Sequence, residues 1–339
     1  MKKRSKVIVL VLCLSILLGV FTGCKADEGS KKQDALSQPL NIGTLMGPTG
    51  MGMASLFERE DEGFKLSLFT APDKAVAAIL NDEVDIAAVP SNLAAVLYNK
   101  TEGGIKLLGV NTGGVLYLVS NGAEPLESLK DLKGKTLYAS GMAAVPEFAL
   151  NALLEAEGLS PEDVNTTWMA SHADVTSTLL TEGGYALMPE PQVTVALSKK
   201  DSIKVELDIN ALWKDSLGCD LPMGVIICRA ALAESRPGDI DFFLDAYLAG
   251  VKSLESDTDA ACRIIEEQGI LPSAGLAKAA LPRCNIMLET NYEKLSAILT
   301  PLFETLYESN PKSVGGKIPG EDFYFSKDNP SDYSYRPKF

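Results

Sequence analysis

Apolar and polar side chains alternate through FKLSLF, residues 64–69, a period of two that predicts a strand. The period then changes: in APDKAVAAILNDE, Ala75, Ala78, Ile79 and Leu80 share one face of a helix. VDIAAVP is a short apolar run stopping at Pro90, which predicts a buried strand, and SNLAAVLYNK restarts as a helix with Ser91 as its N-cap. IKLLGVNTGGVLYLVSN reads as two strand pieces around 111–114. Upstream, IGTLMGPTGMGM (42–53) passes from an apolar strand into a glycine-rich turn, of the kind that lets a backbone approach a ligand.

The second hundred residues repeat this layout. KTLYASG predicts a strand, VPEFALNALLEAEGL an amphipathic helix closed by Gly158, NTTWMAS a strand and HADVTSTLLTEG a helix. GYALMPEP is again a short strand stopping at proline, and QVTVALSKK restarts the helix. Leu80 matches Leu179, Glu83 matches Glu182, Ala87 matches Ala186 and Pro90 matches Pro189; after a one-residue insertion Leu97 meets Leu197. Alternation of β and α elements gives open, mostly parallel sheets flanked by helices, with ligands outside the carboxyl ends of the strands. Two such lobes face each other across a cleft, lined by the strand-end turns TLMGPTGM, VPSN, NTGG, ASGMAAVPE and MPEP.

The N-terminus stands outside this pattern. MKKRSK is basic and 7–21 is an uninterrupted apolar run, shorter than the roughly 20 residues a spanning helix needs; with the small residues that follow, this predicts an export signal over 1–23. FTGC resembles a bacterial lipobox, which would make Cys24 the lipidated first residue; plain secretion is the alternative. Residues 24–39 are polar and aperiodic and read as a flexible tether. Removing the leader takes four basic residues and no acid, so 27 basic against 45 acidic leaves −18. So acidic a chain lacks the basic footprint of a nucleic-acid binder. About 300 residues remain for the fold, too many for one simple core. Cys219, Cys228, Cys262 and Cys284 could pair outside the cytoplasm, with Cys262–Cys284 favoured, or stay as buried thiols. One histidine, His172, and no CxxC pair argue against a metal.

The lipobox, GTLMGPTGMG, DEVDIAAVPSNLAAVL, LKDLKGKTLYASG, LMPEPQVTVAL and MGVIICRAALAESRP follow the order seen in extracellular solute-binding proteins of ABC importers. The chain resembles the branch typified by nitrate, sulfonate, taurine and thiamine-precursor binding proteins, over about residues 40 to 325. The resemblance implies a type II periplasmic-binding fold, α/β, with two lobes joined by two crossing strands, placed near 115–123 and 223–230. Lobe one is then 40–119 plus 228–325, lobe two 120–227, and 326–339 a tail that is disordered or lies along the surface. It also implies a monomer without cofactor, held to the membrane by a lipid on Cys24, that delivers a small solute to a permease and its ATPase.

The candidate ligand contacts are Thr44, Met46, Gly47, Thr49, Gly50, Ser91, Asn92, Thr112, Ser140 and Gly141, joined by Asn111 and by the acids Glu147 and Glu190. The quoted turns hold no Arg or Lys, so two carboxylates favour a ligand with N–H donors, such as an aminopyrimidine; a helix cap is the other reading of Glu190. Tyr117, Tyr138, Phe148 and Trp168 could stack on a flat ring or pack the core, and Met46, Met51 and Met53 could wall the site or bury in the core. A sulfonate, taurine or nitrate bound by helix ends is the alternative. Enzyme motifs are missing. The turn has neither the Walker lysine nor G-x-G-x-x-G, and no G-x-S-x-G elbow occurs. His172, with Asp174 nearby, is either a lone base or a surface cap. A sensor, or an enzyme of the pyrimidine-forming kind on the same fold, is the rival class; the cysteine-rich iron motif of those fungal enzymes is absent.

Overall fold

The computed structural model describes residues 35–325 and 332–339. The expected leader and Cys24 lie outside the described residues, as does 326–331 of the tail. Among the described residues no helix is long and apolar enough to cross a membrane.

The chain runs β1 (Leu40–Leu45), α1 (Pro48–Met53), β2 (Phe64–Phe69), α2 (Pro72–Leu80), β3 (Ile86–Pro90), α3 (Ser91–Lys100) and β4 (Ile105–Thr112). There follow β5 (Leu116–Asn121), β6 (Thr136–Ser140), α4 (Val145–Ala156), β7 (Asn165–Met169), α5 (His172–Glu182), β8 (Gly184–Pro189), α6 (Gln192–Leu197), β9 (Ile203–Asp208) and α7 (Ile209–Leu217). The last part is β10 (Gly224–Arg229), α8 (Ala230–Ser235), α9 (Pro237–Ser256), α10 (Thr258–Glu267), α11 (Ala274–Ala280), β11 (Ile286–Glu289), α12 (Tyr292–Ser309) and β12 (Ser334–Tyr335).

These strands form two sheets, β12-β11-β4-β10-β3-β1-β2 and β7-β6-β8-β5-β9. Each is built on the same parallel unit. In the first, β1 lies between β2 and β3, with Leu40 opposite Phe64; in the second, β6 lies between β7 and β8, with Thr136 opposite Asn165. An antiparallel strand then flanks each unit: β10 beside β3, with Gly224 opposite Pro90, and β5 beside β8, with Leu116 opposite Pro189. The two prolines thus end equivalent strands. In the second unit Glu190 and Pro191 are interposed before α6, whereas Pro90 leads directly into α3.

The segments 115–123 and 223–230, expected to cross between lobes, each carry a strand that stays within one sheet, because β5 and β10 are apolar on both faces and are flanked by partners on both sides. The chain changes sheets at 113–115 and again between α7 and β10. These passages are tied to each other. Met223 N–H donates to Thr112 O (3.0 Å), and Ser91 N–H donates to Met223 O (3.2 Å). Ser91 does not cap α3, whose N-cap is Pro90; its hydroxyl donates instead to Pro222 O at 2.9 Å.

The glycines after β1 serve packing. Gly47 takes φ 84°, and Pro48 opens α1 with an angle already suited to a helix. A Cβ on Gly52 would stand 2.5 Å from Tyr247 Oη. Met51 and Met53 are buried in one core cluster with Phe243, Tyr247, Ile286 and Cys284, so both belong to the core.

The four described cysteines are free, and Cys262 and Cys284 form no disulfide. Cys284 Sγ lies 3.9 Å from Met51 Sδ, inside the cluster that α1 covers. Burial pushes the thiols of Cys228 and Cys284 up, and that of Cys219 as well. At neutral pH a thiol reagent should therefore modify Cys219 alone among these four, and slowly, because the thiolate is the reacting form and only Cys219 is partly exposed. Denaturing without reductant should release all four; two thiols missing from that count would mean a disulfide. The described end of the tail is ordered: β12 adds to β11 as an edge strand, and Arg336 pairs with Asp220 at 2.6 Å.

Candidate ligand-binding site

A cavity of about 520 Å³ opens between the ends of the two sheets. That volume lies in the range of small-molecule pockets. From the first sheet's side come Leu45, Met46, Gly47 and Pro48 after β1, Thr70 and Pro72 after β2, Pro90, Met223, the 270–272 loop and Leu276 of α11. From the second come Val115, Ser171, His172 and Ala173 at the head of α5, and Pro189, Glu190, Pro191, Gln192 and Val195 around α6. Most of these are aliphatic or proline. A proline has no backbone N–H, so the prolines shape the walls without offering donors.

The polar groups are few. His172 is the first residue of α5; the N-cap of that helix is Ser171, whose hydroxyl accepts from Asp174 N–H at 3.2 Å. His172 Nδ1 lies 2.5 Å from Ser140 Oγ, at the end of β6. His172 stays exposed to the cleft as a whole residue, and the partial desolvation of its ring there lowers its imidazolium from the usual range, which favours the neutral ring. Gln192 Oε1 accepts from Thr176 Oγ1 at 3.0 Å, and Thr176 Oγ1 is also 3.0 Å from His172 O. Ser140, His172, Thr176 and Gln192 are thereby linked across β6, α5 and α6.

Glu190 is not a free carboxylate. Its side chain is fully buried, accepts from Thr194 N–H (3.2 Å) and Thr194 Oγ1 (3.0 Å), and is ion-paired with Arg283 Nε. Arg283, just after α11, also donates to Thr194 Oγ1 at 2.7 Å, and its carbonyl accepts from Tyr117 Oη at 3.1 Å. One arginine of the first lobe therefore fastens β5, β8 and α6 of the second. Burial raises the Glu190 carboxyl above its ordinary range, against the opposing pull of Arg283 and Thr194. Glu147 lies on the first turn of α4 and accepts from Ala143 N–H at 2.5 Å, closing its own loop.

Of the residues expected at the site, Met46, Gly47 and Glu190 line the cavity. Thr44, Ser91, Asn92, Asn111, Thr112 and Tyr117 are buried at strand and helix ends beside it. Thr49 turns its hydroxyl to Leu45 O (3.4 Å), Gly50 is buried within α1, and Ser140 reaches the cavity only through His172. Gly141 (φ 89°) belongs to the loop ahead of α4, where Met142 is exposed, and Glu147 to the first turn of that helix. Phe148 is core, Trp168 packs at the core's edge, and Tyr138 borders the second lobe's own cluster.

Thr70, Ser171, Gln192 and Met223 were not singled out from the sequence. Thr70 follows β2 directly and Ser171 stands two residues past the end of β7, so the strand-end rule applied to those two strands would have found them. No such signal marks 270–276 or Arg283, which reach the cleft from helices late in the chain.

Two lobes, each a sheet flanked by helices, that meet at a mostly apolar cavity and are joined by short paired crossings, are the architecture of a cleft-type solute-binding protein. The NMT1/THI5-like family matches residues 60–261, more than half of the chain, and the chain belongs to that family. Solved structures agree on the fold. An ABC transporter structure from Parabacteroides distasonis is 25% identical with a TM-score of 0.74, over 86% of this chain and 99% of that one. The periplasmic aliphatic sulphonate binding protein SsuA of Escherichia coli is 18% identical with a TM-score of 0.67, over 82% and 96%. The periplasmic nitrate-binding protein NrtA of Synechocystis PCC 6803 is 13% identical with a TM-score of 0.55, over 70% and 68%. No curated protein matches the chain.

Proposed function

We propose that this chain is the solute-binding component of an ABC importer, exported and held at the outer face of the cell membrane by a lipid on Cys24. It captures a small solute between its lobes and hands it to a permease driven by an ATPase, without covalent chemistry. The observation that carries this reading is the inter-lobe cavity itself: mostly apolar walls from both lobes, with polar groups at the heads of α5 and α6 and Thr70 on the first lobe.

The solute that suits these walls is a neutral, flat heterocycle or carbonyl compound of the aminopyrimidine kind. The two carboxylates at the strand-end turns do not favour an aminopyrimidine, since Glu147 closes its own loop and Glu190 is paired with Arg283. What favours a neutral ring is the lack of an unpaired cation among the lining residues, together with the first-turn acids Asp73 and Asp174 on the helices that reach the cleft. A ring with acceptor atoms meets the amide of Gln192 and the imidazole of His172, while its faces lie on proline and aliphatic side chains.

The second reading is an alkanesulfonate. It is supported by the converging N-termini of α2 and α5 and by the likeness to the sulphonate-binding SsuA. Thermal shift of the detergent-held full chain separates the two. A ligand at about 100 times its Kd adds about 2.7 kcal/mol, a rise in Tm that is easily read. Aminopyrimidines or nucleobases should stabilise the protein, with alkanesulfonates, taurine and nitrate silent. Stabilisation by sulfonates alone would give the site to the helix ends and reject the neutral-ring reading.

A further inference from the structure

We propose that Ser140 fixes His172 as the Nε2–H tautomer, making this histidine the neutral donor that selects an acceptor atom on the solute; the second half of this inference rests on the cleft being the solute site.

The argument starts from the serine. Ser140 is buried at the carboxyl end of β6, and among the described residues its hydroxyl has one hydrogen-bond partner, His172 Nδ1, at 2.5 Å. A hydroxyl carries one proton to donate, and a neutral imidazole has one nitrogen with a proton and one without. If Nδ1 held the proton, the buried hydroxyl would accept it, and its own proton would be left without an acceptor. An unmade buried hydrogen bond is the costlier arrangement, so the serine donates to a bare Nδ1. The imidazole proton then sits on Nε2, at the far edge of the ring. That nitrogen has no protein partner among the described residues, and His172 lines the cavity. The backbone keeps the ring in place: His172 is the first residue of α5, Ser171 caps that helix, and His172 O is held by Thr176 Oγ1.

Gln192 lies on the same surface. Thr176 Oγ1 has one proton within reach of both His172 O and the Gln192 amide, so one end of that amide is tied to Thr176 and the other is left to the cavity it lines. Lobe two thus offers one uncharged imidazole donor, and the one carboxylate among the lining residues, Glu190, is consumed by Arg283. A solute with an acceptor atom at that edge fits it. One with only donors leaves the imidazole N–H unpaired, which a site closed from water discriminates strongly.

His172 is the single histidine of the chain, so [15N]histidine labelling of the detergent-held full chain gives one imidazole to read. Two-bond 1H–15N correlation at pH 7.5 should show Nδ1 as the bare, pyridine-like nitrogen and Nε2 as the protonated one. Ser140→Ala should average the two nitrogen shifts, as the tautomers lose their bias. A proton on Nδ1 in the parent protein, or a spectrum unchanged by Ser140→Ala, overturns the assignment; the parent spectrum decides even if the variant folds poorly.

The solute arm uses 4-aminopyrimidine and methanesulfonate as probes. A probe that raises Tm should move the Nε2 signal, and His172→Leu should weaken it by roughly tenfold, the effect of one lost hydrogen bond. A probe that raises Tm without moving that signal overturns the selecting role. If neither probe raises Tm, the solute class proposed above falls, and with it the selecting role, while the spectrum still decides the tautomer.

Discussion

Arg283→Ala is expected to destabilise the protein by about 3 kcal/mol at pH 8, because it strands a buried carboxylate. Glu190 is fully buried and Arg283 is its ionic partner; Thr194 alone would remain. The pH dependence gives the mechanism a sign. Burial already raises the Glu190 carboxyl above its ordinary range, and Arg283 opposes that rise. Without the arginine the folded carboxyl rises further. A carboxyl whose folded pKa lies above its unfolded value contributes stability that is present below the unfolded value and lost as pH climbs through the folded one. The penalty of Arg283→Ala should therefore be smallest near pH 4 to 5 and grow toward pH 8. Glu190→Gln in the same background should recover much of the loss at pH 8, since it removes the charge. Urea denaturation at several pH values measures this, and a penalty that does not vary with pH would show that Arg283 acts by packing alone. Tyr117 Oη donates to the main-chain carbonyl of Arg283, so that contact between the lobes should survive the substitution.

The second large effect concerns the glycine-rich turn. Gly50 lies inside α1, where helix propensity alone favours alanine by about 1 kcal/mol. Sterics reverse the sign. A Cβ at Gly50 would stand 2.4 Å from Leu45 O and 3.1 Å from Ile270 Cγ2. Leu45 O belongs to the strand that carries α1, and a carbonyl of a paired strand cannot step aside as a flexible side chain can. Overpacking of this kind costs about 1–3 kcal/mol, and we expect Gly50→Ala to lose about 2 kcal/mol net. Leu45, Met46 and Ile270 all line the cavity, so solute affinity should fall with stability. A drop in the urea midpoint at constant slope would register it. A variant more stable than the parent would mean that α1 moves freely and that propensity governs the turn.

These two sites differ in how visible they are from the chain alone. The periods of two and 3.6, punctuated by Pro90, Gly158 and Pro189, locate the strands and helices that build the repeated parallel units, because those signals are local. The repeat of helix, strand, proline and helix reappears as two equivalent sheets. The glycine turn was legible as a place of close approach, though what approaches is Leu45 O, Ile270 and Tyr247 rather than a ligand alone. The boundary between the lobes was misplaced by a few residues, because β5 and β10 are continuous apolar runs and nothing local says which sheet takes them.

The carboxylates mark the limit more sharply. Glu147 and Glu190 both stand at strand-end turns, and sequence spacing cannot tell a ligand contact from a closed loop or an ion pair. Ala143 N–H claims the first; Arg283, 93 residues further on, claims the second. The pairing of Ser140 with His172 across 32 residues is of the same kind. By itself the sequence determined the elements, the two-lobed α/β class and the side of each sheet on which the cavity opens, since these follow from periodicity and from the polarity of parallel strands. Only the tertiary structure decided which polar groups remain unspent at the cleft, because a hydrogen bond or an ion pair is satisfied by whatever residue the fold brings within 3 Å or so, however distant in the chain.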